Sequence, residues 1–437
     1  MGALVWHETC FYNQARGNRG GGPVGKECEM DFTSMSIKEV VQTVTANHYE
    51  ELARAREEGR KIAWASSVAP QEFLEAMEIA VAYPENHAAA IASKGGAPEL
   101  LAHAEEMGFN NDICAYARLN LAYADRLESD ILEIPRPDFV IACTNICNTL
   151  IKWYENLAKM FQVPFLLVDT PFCAKGDCDE STVAYVKGQF THLIAQLEEI
   201  CGRPFDYDRF TKVMEVSGAC NRAWFRAMAA TAYVPSPMDG FNILNYMALA
   251  VCQRGRQETA DVFNFIADEM EQMHEKGESQ FKGEQKHRYL WEGIAVWPYL
   301  SHTYKTLKNQ GAIYVGSLYP ATWDIAYGVW DIDAMAKSYV QIPPNCCLKQ
   351  QIETRKQVLA EKSCDGIIYH VNRSCKLLDF MQHGLRNGVY EETGLPYAMF
   401  SGDQADPSAY SKAQFEVRME ALVESMEARK SRKGERA

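Results

Sequence analysis

Short apolar runs alternate with amphipathic segments along most of this chain, and this alternation constrains the fold more than any other feature. The runs KIAWAS, DFVIAC and PFLLVDTPF each predict a buried strand, and a helical pattern follows each of them. A second alternating region has the candidate strands GIAVW, AIYVGSLY, DGIIYHV and PYAMFSGD. Because strands that alternate with helices form parallel sheets, we expect an α/β protein.

The length of the chain predicts more than one folded unit. At 437 residues, two or three domains are expected. We predict two doubly wound parallel-sheet lobes of the Rossmann or flavodoxin type, with helical N-terminal and connecting segments. The predicted divisions are an irregular leader (1–35), an N-terminal helix that begins with the capping box of Ser36 and Glu39 (36–60), a first lobe (61–205), a helical connecting segment (206–288) and a second lobe (289–437).

Charge and hydropathy exclude several classes of function. The net charge of -14 argues against a nucleic-acid surface, which needs clustered lysine and arginine. No apolar run reaches the length of a membrane span, and the first residues do not have the pattern of a signal peptide. The stretch GGGPVGK has the spacing of a phosphate-binding loop, but Glu27 follows it and no strand precedes it. We therefore expect a cytoplasmic protein without a membrane or nucleic-acid partner.

The chain has fourteen cysteines. In a reducing compartment they should not form disulfides, and most are expected to be packing residues. Cys173 and Cys178 lie in an acidic loop, and Cys346 and Cys347 lie in a polar one. Adjacent thiols rarely share a metal, so both pairs are predicted to be structural. Since the sequence has no CxxC motif, a metal site would have to be assembled from distant segments.

Three other cysteines lie where a loop leads into a predicted helix. Cys147 and Cys375 each follow a candidate strand and a short loop, and Cys114 precedes a helical run without a long strand before it. Ligands of open parallel sheets bind beyond the carboxyl ends of strands, and a helix N-terminus stabilises a thiolate. Three thiolates that face a cleft between the lobes would suit a [4Fe-4S] cluster with one iron left open.

Spacing alone leaves two alternatives to this cluster. One is a zinc site of four cysteines, with Cys143 as the fourth ligand. The other is that all of these cysteines pack in the core. Cys143 ends an apolar strand, so its side chain is expected to point into the core, which makes it the weaker ligand candidate.

Polar residues also lie near predicted strand ends. Ser66 and Ser67 occupy a strand-to-helix turn, and Glu85 stands just before a helix. Each could cap a helix, or Ser67 and Glu85 could hydrogen-bond a polar substrate in the cleft between the lobes.

Two further polar groups belong to the second lobe. His370 and Arg373 flank Cys375, where they could contact an anion or serve the structure. Asp403 and Gln404 follow the strand PYAMFSGD, so we expect them near the same cleft.

Several stretches together carry a resemblance to a known family. They are WASSVAP, YPENHAAAIA, NDICAYAR, NICNTLIKWYENLA, WEGIAVWP, YHVNRSCKL and GDQADP. In this order and spacing the chain resembles the α subunits of the (R)-2-hydroxyacyl-CoA dehydratases, relatives of the benzoyl-CoA reductase core subunits, from about Glu50 to Glu427. The stretches ICGRPFD, NYMALAV and WEGIAVWP are most similar to lactoyl-CoA dehydratase.

The resemblance implies a site and partners. Cys114, Cys147 and Cys375 match the family's [4Fe-4S] ligands, Cys143 does not, and Ser67 and Glu85 match positions near the substrate hydroxyl. The fourth iron would carry water until the thioester carbonyl of an acyl-CoA substrate replaces it. A β subunit with a second cluster and a separate ATP-hydrolysing iron–sulfur activator are the implied partners, and some members also contain a flavin (FMN).

The implied reaction is the oxygen-sensitive dehydration of (R)-lactoyl-CoA to acryloyl-CoA. One-electron reduction to a ketyl radical would allow the α-hydroxyl to leave and would acidify the β-hydrogen, and the electron would then return. Two other readings stay open: a dehydratase for a larger 2-hydroxyacyl-CoA, and a non-catalytic electron-relay subunit of a benzoyl-CoA-reductase-like complex. The leader before Ser36 is longer than is usual in the family, and His87 has no assigned role.

Overall fold

The computed structural model describes residues 32–434, in which the first sheet has four parallel strands. Residues 1–31 of the predicted leader lie outside the described part of the chain. The strands follow the order β2-β1-β3-β4, and all neighbours pair in parallel. Their bounds are β1 (Ile62–Ala65), β2 (Ala80–Ala82), β3 (Phe139–Cys143) and β4 (Phe165–Val168).

The second sheet repeats this arrangement. Its strands are β5 (His287–Glu292), β6 (Ala312–Gly316), β7 (Gly366–Asn372) and β8 (Tyr397–Gly402). They pair in parallel in the order β6-β5-β7-β8. In each sheet the first strand in sequence is therefore an inner strand, and later strands add on both sides of it. The predicted α/β class with two parallel sheets is confirmed, while the residue boundaries of the predicted divisions stay a prediction.

Helices cover the sheets and connect them. The first helix begins with the predicted capping box, in which the Glu39 carboxylate accepts from the Ser36 amide at 2.8 Å. No helix within residues 32–434 is long and apolar enough to cross a membrane. The helices are α1 (Ile37–Arg54), α2 (Gln71–Ala76), α3 (Pro84–Ser93), α4 (Ala97–Glu106), α5 (Ala115–Arg126), α6 (Asn148–Phe161), α7 (Glu180–Cys201), α8 (Tyr207–Ala229), α9 (Gly240–Cys252), α10 (Gln257–Glu275), α11 (Leu300–Asn309), α12 (Ile332–Val340), α13 (Leu348–Glu361), α14 (Lys376–Thr393) and α15 (Lys412–Gly434).

One predicted strand is wrong. GIAVW does not form a strand; β5 is the preceding run HRYLWE, and the chain leaves the sheet at Gly293 with a φ of +98°. Charged residues made this run look unlike a buried strand, yet Glu292 is buried because Arg355 donates to its carboxylate at 2.8 Å. The apolar pattern failed to identify β5 because a distant arginine neutralises the buried charge in this strand.

The topology places two crevices at the carboxyl ends of the strands. The chain reverses its direction of winding between β1 and β3 in the first sheet and between β5 and β7 in the second. Ligands of doubly wound sheets bind at such switch points. The loops after β1, β3 and β7 carry Ser67, Cys147 and Cys375, so the candidate site residues lie at the two switch points.

A buried ion pair joins the lobes to the connecting helices. Arg254 Nε donates to Glu72 Oε1 at 3.1 Å, and both side chains are at most 1% exposed. The Glu72 carboxylate also accepts from Tyr327 and Tyr339, each at 2.6 Å, and from Ser217 at 2.9 Å. These five residues come from both lobes and from the helices between them, so the network fixes how the parts are assembled.

The start of α9 needs a glycine because it lies against β6. A Cβ added at Gly240 would meet three ring atoms of Tyr314 at 2.5 to 2.7 Å, and Tyr314 is buried. We expect Gly240→Ala to lower the free energy of unfolding by about 1–3 kcal/mol, because a buried ring would have to shift to admit the methyl group.

Urea unfolding measures this effect, with Gly188→Ala as the matched control. A Cβ added at Gly188, within α7, would meet nothing within 4 Å, so this variant should equal the wild type or gain up to about 1 kcal/mol. Equal stability of the two variants would contradict the packing of α9 on β6.

Candidate active site

Three cysteines stand at the N-caps of three helices. Cys114 precedes α5, Cys147 precedes α6 and Cys375 precedes α14, as the sequence predicts. All three are half-buried. The positive end of each helix dipole therefore points at a sulfur, which favours the thiolate that binds metals.

The structure brings these three N-termini together across the lobes. The Ala115 amide of the first lobe donates to Ser374 Oγ of the second at 3.0 Å, and Gln404 Nε2 donates to Cys114 Sγ at 3.3 Å. Burial raises the pKa of the Cys114 thiol, and the nearby Cys375 and Cys147 raise it further. The pKa of Cys375 is raised to about 12 by burial and by Cys147. The three thiols thus form one electrostatic group.

The donor set suits a cation that replaces the thiol protons. Burial disfavours a thiolate here, and a bound metal removes this penalty because it deprotonates its thiol ligands. Within residues 32–434 no group of three or more His, Cys, Asp or Glu side chains is arranged to hold a metal ion. Each thiolate of a cubane binds a different iron, so the sulfurs of a cluster need not converge on one point as those of a zinc site must.

Cys143 lies apart from this group. It ends β3, is fully buried, and its sulfur lies 3.8 Å from Thr170 Oγ1. Its surroundings are those of a packed core residue, which agrees with its predicted orientation.

Glu85 is the second residue of α3, whereas the sequence predicted a position just before the helix. Its Oε1 accepts from the Ser67 amide at 3.0 Å, and its Oε2 accepts from Tyr154 Oη at 2.8 Å. Burial raises the pKa of this carboxyl, although both hydrogen bonds act in the opposite direction. Tyr154 belongs to α6, whose N-cap is Cys147, so the same helix positions a thiol and the carboxyl.

The capping roles considered for Ser67 and Glu85 are not observed. The N-caps of α2 and α3 are Pro70 and Tyr83, and neither makes a side-chain capping bond. Ser67 is held through its backbone, since Trp323 Nε1 donates to its carbonyl at 2.8 Å. Ser66 Oγ accepts from the Cys143 amide at 3.1 Å and so joins β1 to β3.

The polar residues of the second lobe divide into two groups. His370 is buried in the lobe, where its Nδ1 hydrogen-bonds the Ile294 carbonyl at 2.6 Å, and Arg373 is exposed. Asp403 and Gln404 lie beside the cysteines: Asp403 Oδ2 accepts from the Ser374 amide at 3.1 Å, and Gln404 contacts Cys114. The second group therefore lies at the predicted cleft and orients the loop before Cys375.

Sequence reasoning missed a pair of buried tyrosine hydroxyls. Tyr116 and Tyr319 lie close enough for each to influence the pKa of the other, and Trp297 Nε1 donates to Tyr116 Oη. The pKa of Tyr319 is raised mainly by burial, and Glu85, Cys375 and Cys114 add to the rise. Tyr319 is therefore near both the carboxyl and the thiols. The signal that could have identified Tyr319 is its position just after β6, because ligands of parallel sheets bind beyond the carboxyl ends of the strands.

A cavity of about 410 Å³ lies between the lobes. This volume is within the range of small-molecule sites. Ser67, Glu85, Tyr116 and Tyr319 lie in its wall. None of the three cysteines is among the described residues that line it, but the Glu85 carboxyl contributes to the raised pKa of Cys147. The carboxyl thus connects the cavity with the thiols.

Comparison with known proteins gives consistent results. A family model described as 2-hydroxyglutaryl-CoA dehydratase, D-component, matches residues 66–426. The chain is 43% identical over 392 residues to the (R)-2-hydroxyisocaproyl-CoA dehydratase alpha subunit of Clostridioides difficile, with 90% of this chain and 96% of the relative covered. It is 40% identical to the lactoyl-CoA dehydratase subunit alpha of Anaerotignum propionicum (90% and 97% covered) and to the (R)-phenyllactyl-CoA dehydratase alpha subunit of Clostridium sporogenes (90% and 96% covered).

The resemblance carried by the motifs is thus confirmed over nearly the whole length of both partners in each comparison. The family model and the named relatives agree with each other. The chain belongs to the 2-hydroxyglutaryl-CoA dehydratase D-component family and, within it, to the α subunits of the 2-hydroxyacyl-CoA dehydratases.

Proposed function

We propose that this chain is the substrate-binding α subunit of an (R)-2-hydroxyacyl-CoA dehydratase that converts (R)-lactoyl-CoA to acryloyl-CoA and water by a ketyl-radical route. One observation carries the proposal: a buried carboxyl, Glu85, lines the cavity between the lobes and acts electrostatically on Cys147, one of three thiols at helix N-termini. The proposed dehydration needs an acid near the hydroxyl and a redox centre near the carbonyl, and the proximity of Glu85 to a thiol that could hold such a centre supports it.

Cys114, Cys147 and Cys375 are the proposed ligands of a [4Fe-4S] cluster. Their half-burial, their positions at helix N-termini and their mutual effect on the thiol pKa values support this set. When bound, such a cluster with one iron free of protein ligands supplies a Lewis acid and a one-electron partner for the thioester carbonyl.

Glu85 is proposed to donate a hydrogen bond and then a proton to the departing α-hydroxyl. The raised pKa of its carboxyl keeps it protonated to a higher pH than an ordinary glutamate, and a neutral carboxyl is a proton donor. The Ser67 amide and Tyr154 hold its two oxygens and fix its direction. The β-hydrogen of the substrate replaces the proton that Glu85 gives up, so the net products are the enoyl thioester and water.

Lactoyl-CoA is favoured because of where the lactoyl-like stretches lie. Two of the three stretches that resemble lactoyl-CoA dehydratase reach the cavity: NYMALAV through Tyr246, Met247 and Val251, and WEGIAVWP through Trp297 and Pro298. A larger 2-hydroxyacyl-CoA is the second candidate, since relatives named for isocaproyl and phenyllactyl substrates have similar identity.

The proposed enzyme works as a complex. The relatives are named as α subunits, so we expect a β subunit to complete it. This chain has no phosphate-binding loop followed by Ser or Thr, and a separate ATP-dependent iron–sulfur activator is therefore expected to supply the starting electron.

The substrate assay uses the anaerobic, activated complex with lactoyl-CoA, 2-hydroxyisocaproyl-CoA and benzoyl-CoA. We expect kcat/KM to be highest for lactoyl-CoA by at least about tenfold, the discrimination that a few methylenes give in a close-fitting pocket. Faster dehydration of 2-hydroxyisocaproyl-CoA would overturn the lactoyl assignment and retain the dehydratase. Reduction of benzoyl-CoA without any dehydration would overturn both.

A further inference from the structure

Two loops from different lobes bring four other cysteines together. The loop after β4 carries Cys173 and Cys178, and the loop between α12 and α13 carries Cys346 and Cys347. The Cys173 amide donates to the Asn345 carbonyl at 3.0 Å, and the Cys347 amide donates to the Cys173 carbonyl at 3.1 Å. The sequence predicts a structural role for each pair but no contact between the pairs. We call these four residues the thiol seam.

Cys173 and Cys346 are direct partners within the thiol seam. They form an isolated parallel β-bridge, and neighbouring strands lie about 4.8 Å apart. Disulfides need a Cα–Cα separation of about 4.4–6.8 Å, so the backbones already have the required spacing. The Cys346 thiol lies close enough to Cys173 for its pKa to be raised by it. In the reduced protein it donates to the Gln341 and Ile342 carbonyls at 3.4 and 3.5 Å, so it must turn toward Cys173 for a disulfide to form.

The pair is open on one side only. Cys346 is half-buried, whereas Cys173 is 3% exposed beneath it. A small reagent can therefore reach Cys346 first, and Cys173 is placed to attack from below. Among the described residues no three His, Cys, Asp or Glu side chains converge as the ligands of a single metal ion do, so the thiol seam lacks the arrangement of a zinc site.

We propose that Cys173 and Cys346 form a redox modification site, which closes to a disulfide that ties the two lobes together. The oxidant is a low-molecular-weight disulfide. The Cys346 thiolate attacks one of its sulfurs and releases a small thiolate, and the Cys173 thiolate then attacks the Cys346 sulfur and releases the second. Two protein thiols are oxidised, one small disulfide is reduced to two thiols, and the two protons pass to the released thiolates.

The reaction is expected to be slow and reversible. Burial and the neighbouring Cys173 raise the pKa of Cys346 to about 12, so little thiolate is present at neutral pH. The closed form constrains two lobes that otherwise meet through non-covalent contacts, and a small dithiol restores the open form.

The test treats the purified full-length complex anaerobically with oxidised glutathione for hours, alkylates the free thiols and maps the tryptic peptides. Cleavage after Lys159, Lys175, Lys187, Lys337 and Lys349 separates Cys173 from Cys178 and leaves Cys346 with Cys347. We expect peptide 160–175 linked to peptide 338–349. The midpoint of thermal unfolding should rise by a few degrees, as expected for a cross-link over a long stretch of chain, with the iron content unchanged.

Matched variants decide which thiols react. Cys346→Ser and Cys173→Ser should each abolish the linked peptide and the thermal shift, while Cys347→Ser and Cys178→Ser should keep both. Linkage that survives Cys346→Ser, linkage of Cys173 to Cys178, or no linkage at all would overturn the proposal. So would a stoichiometric zinc ion in the untreated protein that both Cys173→Ser and Cys346→Ser remove.

Discussion

Glu85→Gln is expected to lower kcat of the activated complex by about 10²–10³-fold, the range in which a positioned general acid acts. Glutamine keeps the size of the side chain, and its amide oxygen can still accept from the Ser67 amide, which bonds Glu85 at 3.0 Å. The variant loses the transferable proton and, because a glutamine amide has one oxygen, also the hydrogen bond that Tyr154 Oη donates to Oε2. Tyr154→Phe measures that second loss separately. Steady-state kinetics of lactoyl-CoA dehydration, with iron determined on the same samples, measures the effect.

The pH profile gives an independent signature. Because burial raises the pKa of Glu85, the acid is active at low pH, and activity should fall as pH rises through that raised pKa. Tyr154→Phe removes a hydrogen bond to Oε2 that stabilises the carboxylate, so it should move this alkaline limb to higher pH. Glu85→Gln should leave no such limb.

Two results would contradict the acid role. One is a Glu85→Gln complex with more than half of the wild-type kcat, which would favour an electron-relay subunit. The other is loss of iron from this variant, which would give the carboxyl a structural role. Glu99→Gln, on the exposed face of α4 where Glu99 pairs with Arg126 at 3.0 Å, is the control and should match the wild type.

The second large effect concerns stability. Arg254→Met is expected to lower the free energy of unfolding by about 3–5 kcal/mol, because it leaves the buried Glu72 carboxylate without its cation. The Arg254 cation contributes to the lowered pKa of Glu72, against the effect of burial, and the tyrosine hydroxyls act in the same direction. Urea unfolding monitored by tryptophan fluorescence measures the change.

A double variant tests whether the pair acts as a unit. Glu72→Gln with Arg254→Met should lose clearly less than the sum of the single changes, because the unpaired charge is then gone. Lys152→Met breaks an exposed pair with Glu155, whose side chains are 76% and 55% exposed, and should change stability by no more than about 1 kcal/mol. Strict additivity of the two buried changes would contradict the coupling.

The sequence predicted those features that depend on neighbouring residues. Apolar runs and helical spacing located β1, β3, β4, β6, β7 and β8, and the residues before each helix marked Cys114, Cys147 and Cys375 as N-caps. Parallel topology then placed Cys147 and Cys375, which follow β3 and β7, beyond the carboxyl ends of the two sheets. For this reason, short-range patterns were enough to propose the thiol group.

Features that depend on distant partners were not predictable in this way. Tyr154 bonds Glu85 from a distant helix of the same lobe, and Tyr116 and Tyr319 meet from different lobes. Strand β5 was misplaced because its buried Glu292 is neutralised by Arg355 on α13. The same reason applies to the thiol seam, whose two halves lie on loops that meet only in the folded chain.

Iron and acid-labile sulfide analysis of the anaerobically purified complex tests the central claim most directly. The account predicts that Cys114→Ala, Cys147→Ala and Cys375→Ala each lose the iron of one [4Fe-4S] cluster relative to the wild type, while Cys143→Ala keeps it. Loss of iron in Cys143→Ala alone, with full retention in the other three, would contradict the account.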